Sequence, residues 1–188
     1  GIQWGIGAIK MDINVIVFLV IFGFVIIQRV IELFIAKRNE DWIKSQGGYE
    51  VGKRHYPFMV ALHVGFFISL LLEFTLLNRG LSIFLLPLFT VFAVTQLMRI
   101  WILSSLGRFW NTKIMILPGA SVVKKGPFQY MRHPNYTIVA LELLVLPLMF
   151  NAFITAIVFT LLNLYMLSVR IPIEEAALCE GTNYREVF

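Results

Sequence analysis

The run Gly126-Pro127-Phe128-Gln129-Tyr130-Met131-Arg132-His133-Pro134-Asn135-Tyr136 gathers an imidazole, a guanidinium, two amides and two phenols at the mouth of a long apolar stretch. Pro134 fixes its own backbone and biases His133 toward an extended conformation. Its missing N–H costs nothing in the first turn of a helix. The free N–H groups of that turn are placed to hold an anion such as a carboxylate. A second constellation, Arg170-Ile171-Pro172-Ile173-Glu174-Glu175, lies at the end of the last apolar stretch. If it is helical, Arg170 and Glu174 share a face, and Pro172 predicts a kink. A carboxylate facing a cavity suits a cationic ligand; an arginine suits an anionic or polar one. Plain readings stand beside these. Tyrosines anchor at membrane interfaces, and charges at a helix end are often only solvated.

Six ionisable residues fall inside apolar stretches: Arg29, Glu32, Glu73, Arg99, Glu142 and Arg170. At mid-membrane each costs about 2.5–3.5 kcal/mol, so each needs a partner or a route to the interface. Arg29 and Glu32 are three apart and can pair on one helix face. Glu142 sits nearest the centre of its stretch and is a candidate to face a substrate. The single cysteine, Cys179, excludes an intrachain disulfide and has no activating histidine nearby in sequence. No metal site is expected.

The elements that must position these groups are membrane helices. The chain is 59% hydrophobic and 14% charged, with a mean hydropathy of +0.80. A soluble domain is about 45–50% apolar and about 25% charged. The apolar residues form blocks of bilayer length. Spans are expected at about 13–36, 57–77, 81–106, 136–150 and 152–171. The fold class is therefore an all-α integral membrane protein of about five transmembrane helices. Its pocket is expected between the loop before the fourth span and the C-terminal tail. Residues 1–10 read as an appended leader, which leaves 11–188 as a single membrane domain.

With five spans, the loops 37–56 and 107–135 share a side with the tail. That side carries Lys37, Arg38, Lys44, Lys53, Arg54, Arg108, Lys113, Lys124, Lys125, Arg132 and Arg185; the other has only Lys10 and Arg79. The bias predicts a cytoplasmic basic side, with the N-terminus outside and the C-terminus inside, in a bacterial plasma membrane. The net charge of +5 is thus spent on orientation. No aromatic-basic recognition motif accompanies it, so nucleic acid is excluded as a partner.

The run GPFQYMRHPNY, followed one hairpin later by RIPIEE, resembles the isoprenylcysteine carboxyl methyltransferase family. So does the stretch from Trp110 to Val123, with Pro118-Gly119. The segments QRVIELFIAKRN and HYPFMVALH resemble its small microbial members. The resemblance implies methyl transfer from S-adenosyl-L-methionine to a lipidic substrate at the cytosolic membrane face. The acceptor would be an isoprenylcysteine-like carboxylate or a hydroxyl like that of an alkylpyrone. The cofactor cradle it implies comprises Ser121, Val122, Val123, Phe128, His133, Pro134, Asn135, Tyr136 and Glu174. Lys113 stands where the prenylcysteine enzyme has a cofactor-contacting glutamine, and Phe128 where it has a tyrosine. Arg170 matches an arginine near the substrate, so His133, Glu174 and Arg170 are the catalytic candidates, with Arg170 and Glu142 on the acceptor side.

Methyl transfer from a sulfonium to an oxyanion destroys opposite charges, so a dry, orienting pocket favours it. A carboxylate acceptor needs no base; a hydroxyl does, and His133 or Glu174 are the candidates. Two other readings compete. One is a nicotinamide-dependent membrane reductase of the sterol reductase type, whose members carry a similar RHPxY element. The other is a non-enzymatic membrane scaffold, which predicts no cofactor binding.

Overall fold

The computed structural model describes residues 12–188. The expectation that residues 1–10 form a leader lies outside them. Five helices dominate: α1 (Ile13–Ser45), α2 (Tyr56–Leu76), α3 (Leu85–Leu106), α4 (Pro134–Met149) and α5 (Phe153–Gly181), with a short terminal α6 (Tyr184–Val187). Four of them, α1, α2, α3 and α5, are long and apolar enough to cross a membrane. The expected fourth span is α4, whose 16 residues reach only about 24 Å, short of a hydrocarbon core of about 30 Å. Large side chains such as Ile27, Phe34, Val64, Leu97 and Leu161 are exposed on these helices, as lipid-facing positions require.

The length of α1 is a finding. Its 33 residues extend about 50 Å, more than a bilayer needs, so its last turns leave the apolar layer. There Asn39 donates to the carbonyls of Gly107 (3.2 Å) and Trp110 (2.7 Å), and fixes the second long loop to the first helix. The helix α5 likewise runs past Pro172 as far as Gly181. The expected charged tail is therefore helical over 172–181. Nor is the protein purely helical: β1 (Tyr49–Val51) pairs antiparallel with β2 (Ile114–Ile116), Glu50 opposite Met115. This ribbon joins the two long loops and packs through Ile114 and Ile116 on Ala177 and Ile173 of α5.

At the far end, Phe18, Phe66, Leu70, Phe74, Leu146, Met149 and Phe150 make the main core. Phe18 stacks on Phe74 with centroids 4.0 Å apart. Glu73 accepts from the first amides of α5, those of Ile154 (3.2 Å) and Thr155 (2.7 Å), and so satisfies a helix start that has no side-chain cap of its own. At the loop-rich end, Gly126 has φ +58°, and a Cβ there would lie 2.1 Å from Ser105 Oγ. Only glycine lets this loop lie against α3.

Candidate active site

A cavity of about 340 Å³ lies among α1, α2, α3, α4, α5 and the loop-rich end. His133, Pro134, Asn135 and Tyr136 enter its wall from the start of α4, Arg170 and Glu174 from α5, and Thr112, Lys113 and Phe128 from the second long loop. Residues far apart in sequence thus lie on one cavity. Pro134 opens α4, and the preceding His133 is non-helical (φ −129°, ψ 60°) without capping the helix by its side chain. The amides of Asn135 and Tyr136 therefore lack helical partners and lie at the cavity wall.

Tyr136 donates its hydroxyl hydrogen to Glu174. Arg170 Nε donates to the same Tyr136 oxygen (3.1 Å), and another of its nitrogens donates to the Thr112 carbonyl. Arg170 is only 4% exposed. It pairs with neither Glu174 nor Glu142; it braces the phenol and the loop. His133 Nε2 lies 2.7 Å from Glu175 Oε1, and Tyr184 donates to the same oxygen at 3.5 Å. Burial and the Glu175 charge push the Tyr184 pKa up, so this phenol stays protonated. Lys113 is held by Glu40 at 3.0 Å. Burial alone would lower its pKa, but the hydrogen bond and charge of Glu40 outweigh that and raise it.

Two groups of expected site residues lie off this cavity. Ser121, Val122 and Val123 do not line the cavity. Ser121 is exposed, and the Val122 amide donates to Asn183 Oδ1 at 2.7 Å, so this stretch is tied to the chain's last turn instead. Glu142 does not line it either, being 3% exposed. It accepts from Arg29, Gln96 (3.0 Å) and Arg99 (2.6 Å), while Arg99 also bonds Glu32 at 2.8 Å. These intramembrane charges do not snorkel; they close a neutral box between α1, α3 and α4. The local Arg29–Glu32 pair exists but is long, 3.5 Å.

Sequence reasoning missed Glu175 as the partner of His133, though it adjoins Glu174. It also missed the α2 wall of Tyr56, Met59 and His63, whose spacing of three, four and seven places one helix face on the cavity. Trp110, 2% exposed and on the cavity wall, has a buried indole N–H without a partner among the described residues. Such a donor fits a ligand that brings an acceptor.

Four helices of membrane length around a cavity with polar and apolar walls define an integral membrane protein with an internal cavity. A sequence model of the isoprenylcysteine carboxyl methyltransferase family matches residues 85–180. The chain is 43% identical over 163 residues to "Uncharacterized protein YpbQ" of Bacillus subtilis, covering 87% of this chain and 97% of that one. It is 31% identical over 166 residues to an "Uncharacterized protein" of Haemophilus influenzae, covering 84% and 92%. No solved structure matches. The chain belongs to the isoprenylcysteine carboxyl methyltransferase family, a family of membrane methyltransferases.

Proposed function

We propose that this protein is an S-adenosyl-L-methionine-dependent O-methyltransferase acting on a lipidic acceptor, and that residues 11–188 work as one domain. The observation that carries the reading is the convergence of His133, Asn135, Tyr136, Arg170 and Glu174 on one cavity that is otherwise lined largely by apolar side chains. The volume is at the lower end of the range for small-molecule sites, about 300–1,000 Å³. The donor set fits the cofactor. Glu174 suits its cationic amino group, the unpaired amides of Asn135 and Tyr136 suit its carboxylate, and Trp110 offers a further N–H. When bound, S-adenosyl-L-methionine supplies a sulfonium methyl group for in-line transfer to oxygen.

The chain's own residues bind, orient and exclude water. Glu175 aligns His133; Arg170 and Tyr136 form a preorganised pair beside Glu174, and Arg170 holds the phenol and the Thr112 loop where donor and acceptor meet. Phe128 and Lys113 close the wall. The basic, loop-rich end faces the cytoplasm, where a water-soluble cofactor is supplied, and α4 crosses as a short fifth span. Lipid enters between α1 and α2. Phe22 and Phe67 meet at one end, while Val30, Leu33, Val60 and Val64 line the cavity and are also exposed.

Calorimetry on detergent-purified protein tests the reading. S-adenosylhomocysteine is expected to bind and NADPH not to. Binding of NADPH alone would make the protein a reductase; binding of neither would remove the enzymatic reading.

A further inference from the structure

The cavity has a second polar station that the methyl-donor site does not use. It lies beside the Arg29–Glu142 contact, about 9 Å deeper than Tyr136 by helix rise from 136 to 142. His63 reaches the cavity from α2 and Arg29 from α1. Nδ1 of His63 is 2.8 Å from the Met59 carbonyl. A carbonyl only accepts, so Nδ1 carries the hydrogen and Nε2 of the neutral ring is left with a lone pair. Nε2 makes no hydrogen bond within the described residues. Arg29 has five N–H donors, and bonds to Glu32 and Glu142 engage two of them. Both carboxylates already accept from Arg99 as well, so they are heavily engaged while Arg29 keeps N–H groups to spare. Its side chain is 21% exposed, where an interior charge closed on itself would be fully covered.

We propose that His63 and Arg29 form the seat of the acceptor's head, and that this head is a neutral hydroxyl carried on an apolar tail. This rests on the methyltransferase reading and narrows it. The hydroxyl donates to Nε2 of His63, and its oxygen, or a neighbouring one, accepts from Arg29. An apolar tail leaves between α1 and α2 along Val30, Leu33, Val60 and Val64. A carboxylate head meets the opposite situation at His63, because a lone pair facing an anion repels it.

The test uses 4-decylphenol and decanoate as probes on the detergent-purified full chain. The sequence holds three histidines, so the ring nitrogens of His63 are assignable by ¹⁵N NMR through single variants. Decylphenol is expected to shift the Nε2 resonance of His63, and decanoate to leave it unmoved. His63→Asn keeps a donor for the Met59 carbonyl but has no counterpart of Nε2. It is expected to weaken decylphenol at least tenfold and to leave S-adenosylhomocysteine affinity unchanged, which also reports an intact fold. An unmoved His63 resonance at saturating decylphenol overturns the seat. So does decanoate binding as tightly as the phenol in both wild type and variant. Loss of S-adenosylhomocysteine binding in the wild type, with the phenol response intact, counts against methyl transfer and not against the seat.

Discussion

Two polar clusters sit within one helix bundle, and they are built on opposite principles. The box of Arg29, Glu32, Arg99 and Glu142 pairs charges with charges: both carboxylates accept from more than one donor, and Arg99, Glu32 and Glu142 are nearly covered. The cluster of His133, Tyr136, Arg170, Glu174 and Glu175 pairs charges with neutral groups: a phenol, a backbone carbonyl and an imidazole. This ionic lattice holds three helices together, and only Arg29, at its cavity edge, keeps N–H groups to offer a ligand. A cluster of singly engaged groups keeps lone pairs and N–H bonds for one. Neutralised charge holds the bundle together; incompletely neutralised charge is where chemistry can occur.

The largest expected effect is on the box. Glu142→Ala strips Arg29 and Arg99 of a shared partner, and leaving buried charge uncompensated costs about 3–5 kcal/mol. The thermal midpoint in detergent should drop sharply, or the protein should fail to accumulate. A midpoint unchanged in Glu142→Ala would mean that the box is solvated and that the contrast with the cavity cluster is false.

Next is the cavity. Glu174→Gln and His133→Ala are each expected to weaken S-adenosylhomocysteine binding at least tenfold, about 1.4 kcal/mol, with the midpoint within a few degrees of wild type. Unchanged affinity in both would move the cofactor elsewhere.

Arg170→Lys comes third. The lysine keeps the charge but cannot reach Tyr136 and the Thr112 carbonyl together. Methyl transfer should fall strongly while S-adenosylhomocysteine affinity stays within roughly threefold, under ~1 kcal/mol. Binding titrations and single-turnover rates on one preparation decide this. A parallel loss of both would make Arg170 part of the cofactor site.

Much of this arrangement is written in the chain. The five helices follow from apolar blocks, four of them of bilayer length, and the pairing of the α4 start with the α5 end follows from a hairpin at Asn151. What could not be read is what depends on the third dimension. Glu142 was legible as an intramembrane charge, but its partners Arg29 and Arg99 lie 113 and 43 residues away, and no local spacing announces them. The β1–β2 ribbon was hidden because three-residue strands carry no periodicity. The extension of α5 past Pro172 was masked by the rule that proline ends helices. The expected span ended at 171 with a kink at Pro172; the helix runs on to Gly181 and puts Glu174 on the wall where it meets Tyr136.

The smallest expected effect falls on the stretch 121–123, where resemblance and geometry part. The family resemblance implies that Ser121, Val122 and Val123 help hold the cofactor; the structure keeps them off the cavity wall. The backbone there is not free, however. The Val122 amide is bound by Asn183, and the Gly119 amide donates to the Gly181 carbonyl at 3.0 Å. The stretch is thus fastened to the end of α5, the helix that carries Glu174 and Glu175. If its role is to brace that helix, Ser121→Ala should change S-adenosylhomocysteine affinity less than twofold, because its exposed side chain touches nothing in the cavity. Asn183→Ala, by contrast, removes one neutral hydrogen bond, about 1 kcal/mol, and should lower the thermal midpoint slightly while weakening the ligand only a few-fold. A loss of tenfold or more in Ser121→Ala would reverse the assignment. It would mean that the loop closes onto bound cofactor, and the cavity cluster would then be completed by ligand instead of standing ready before it.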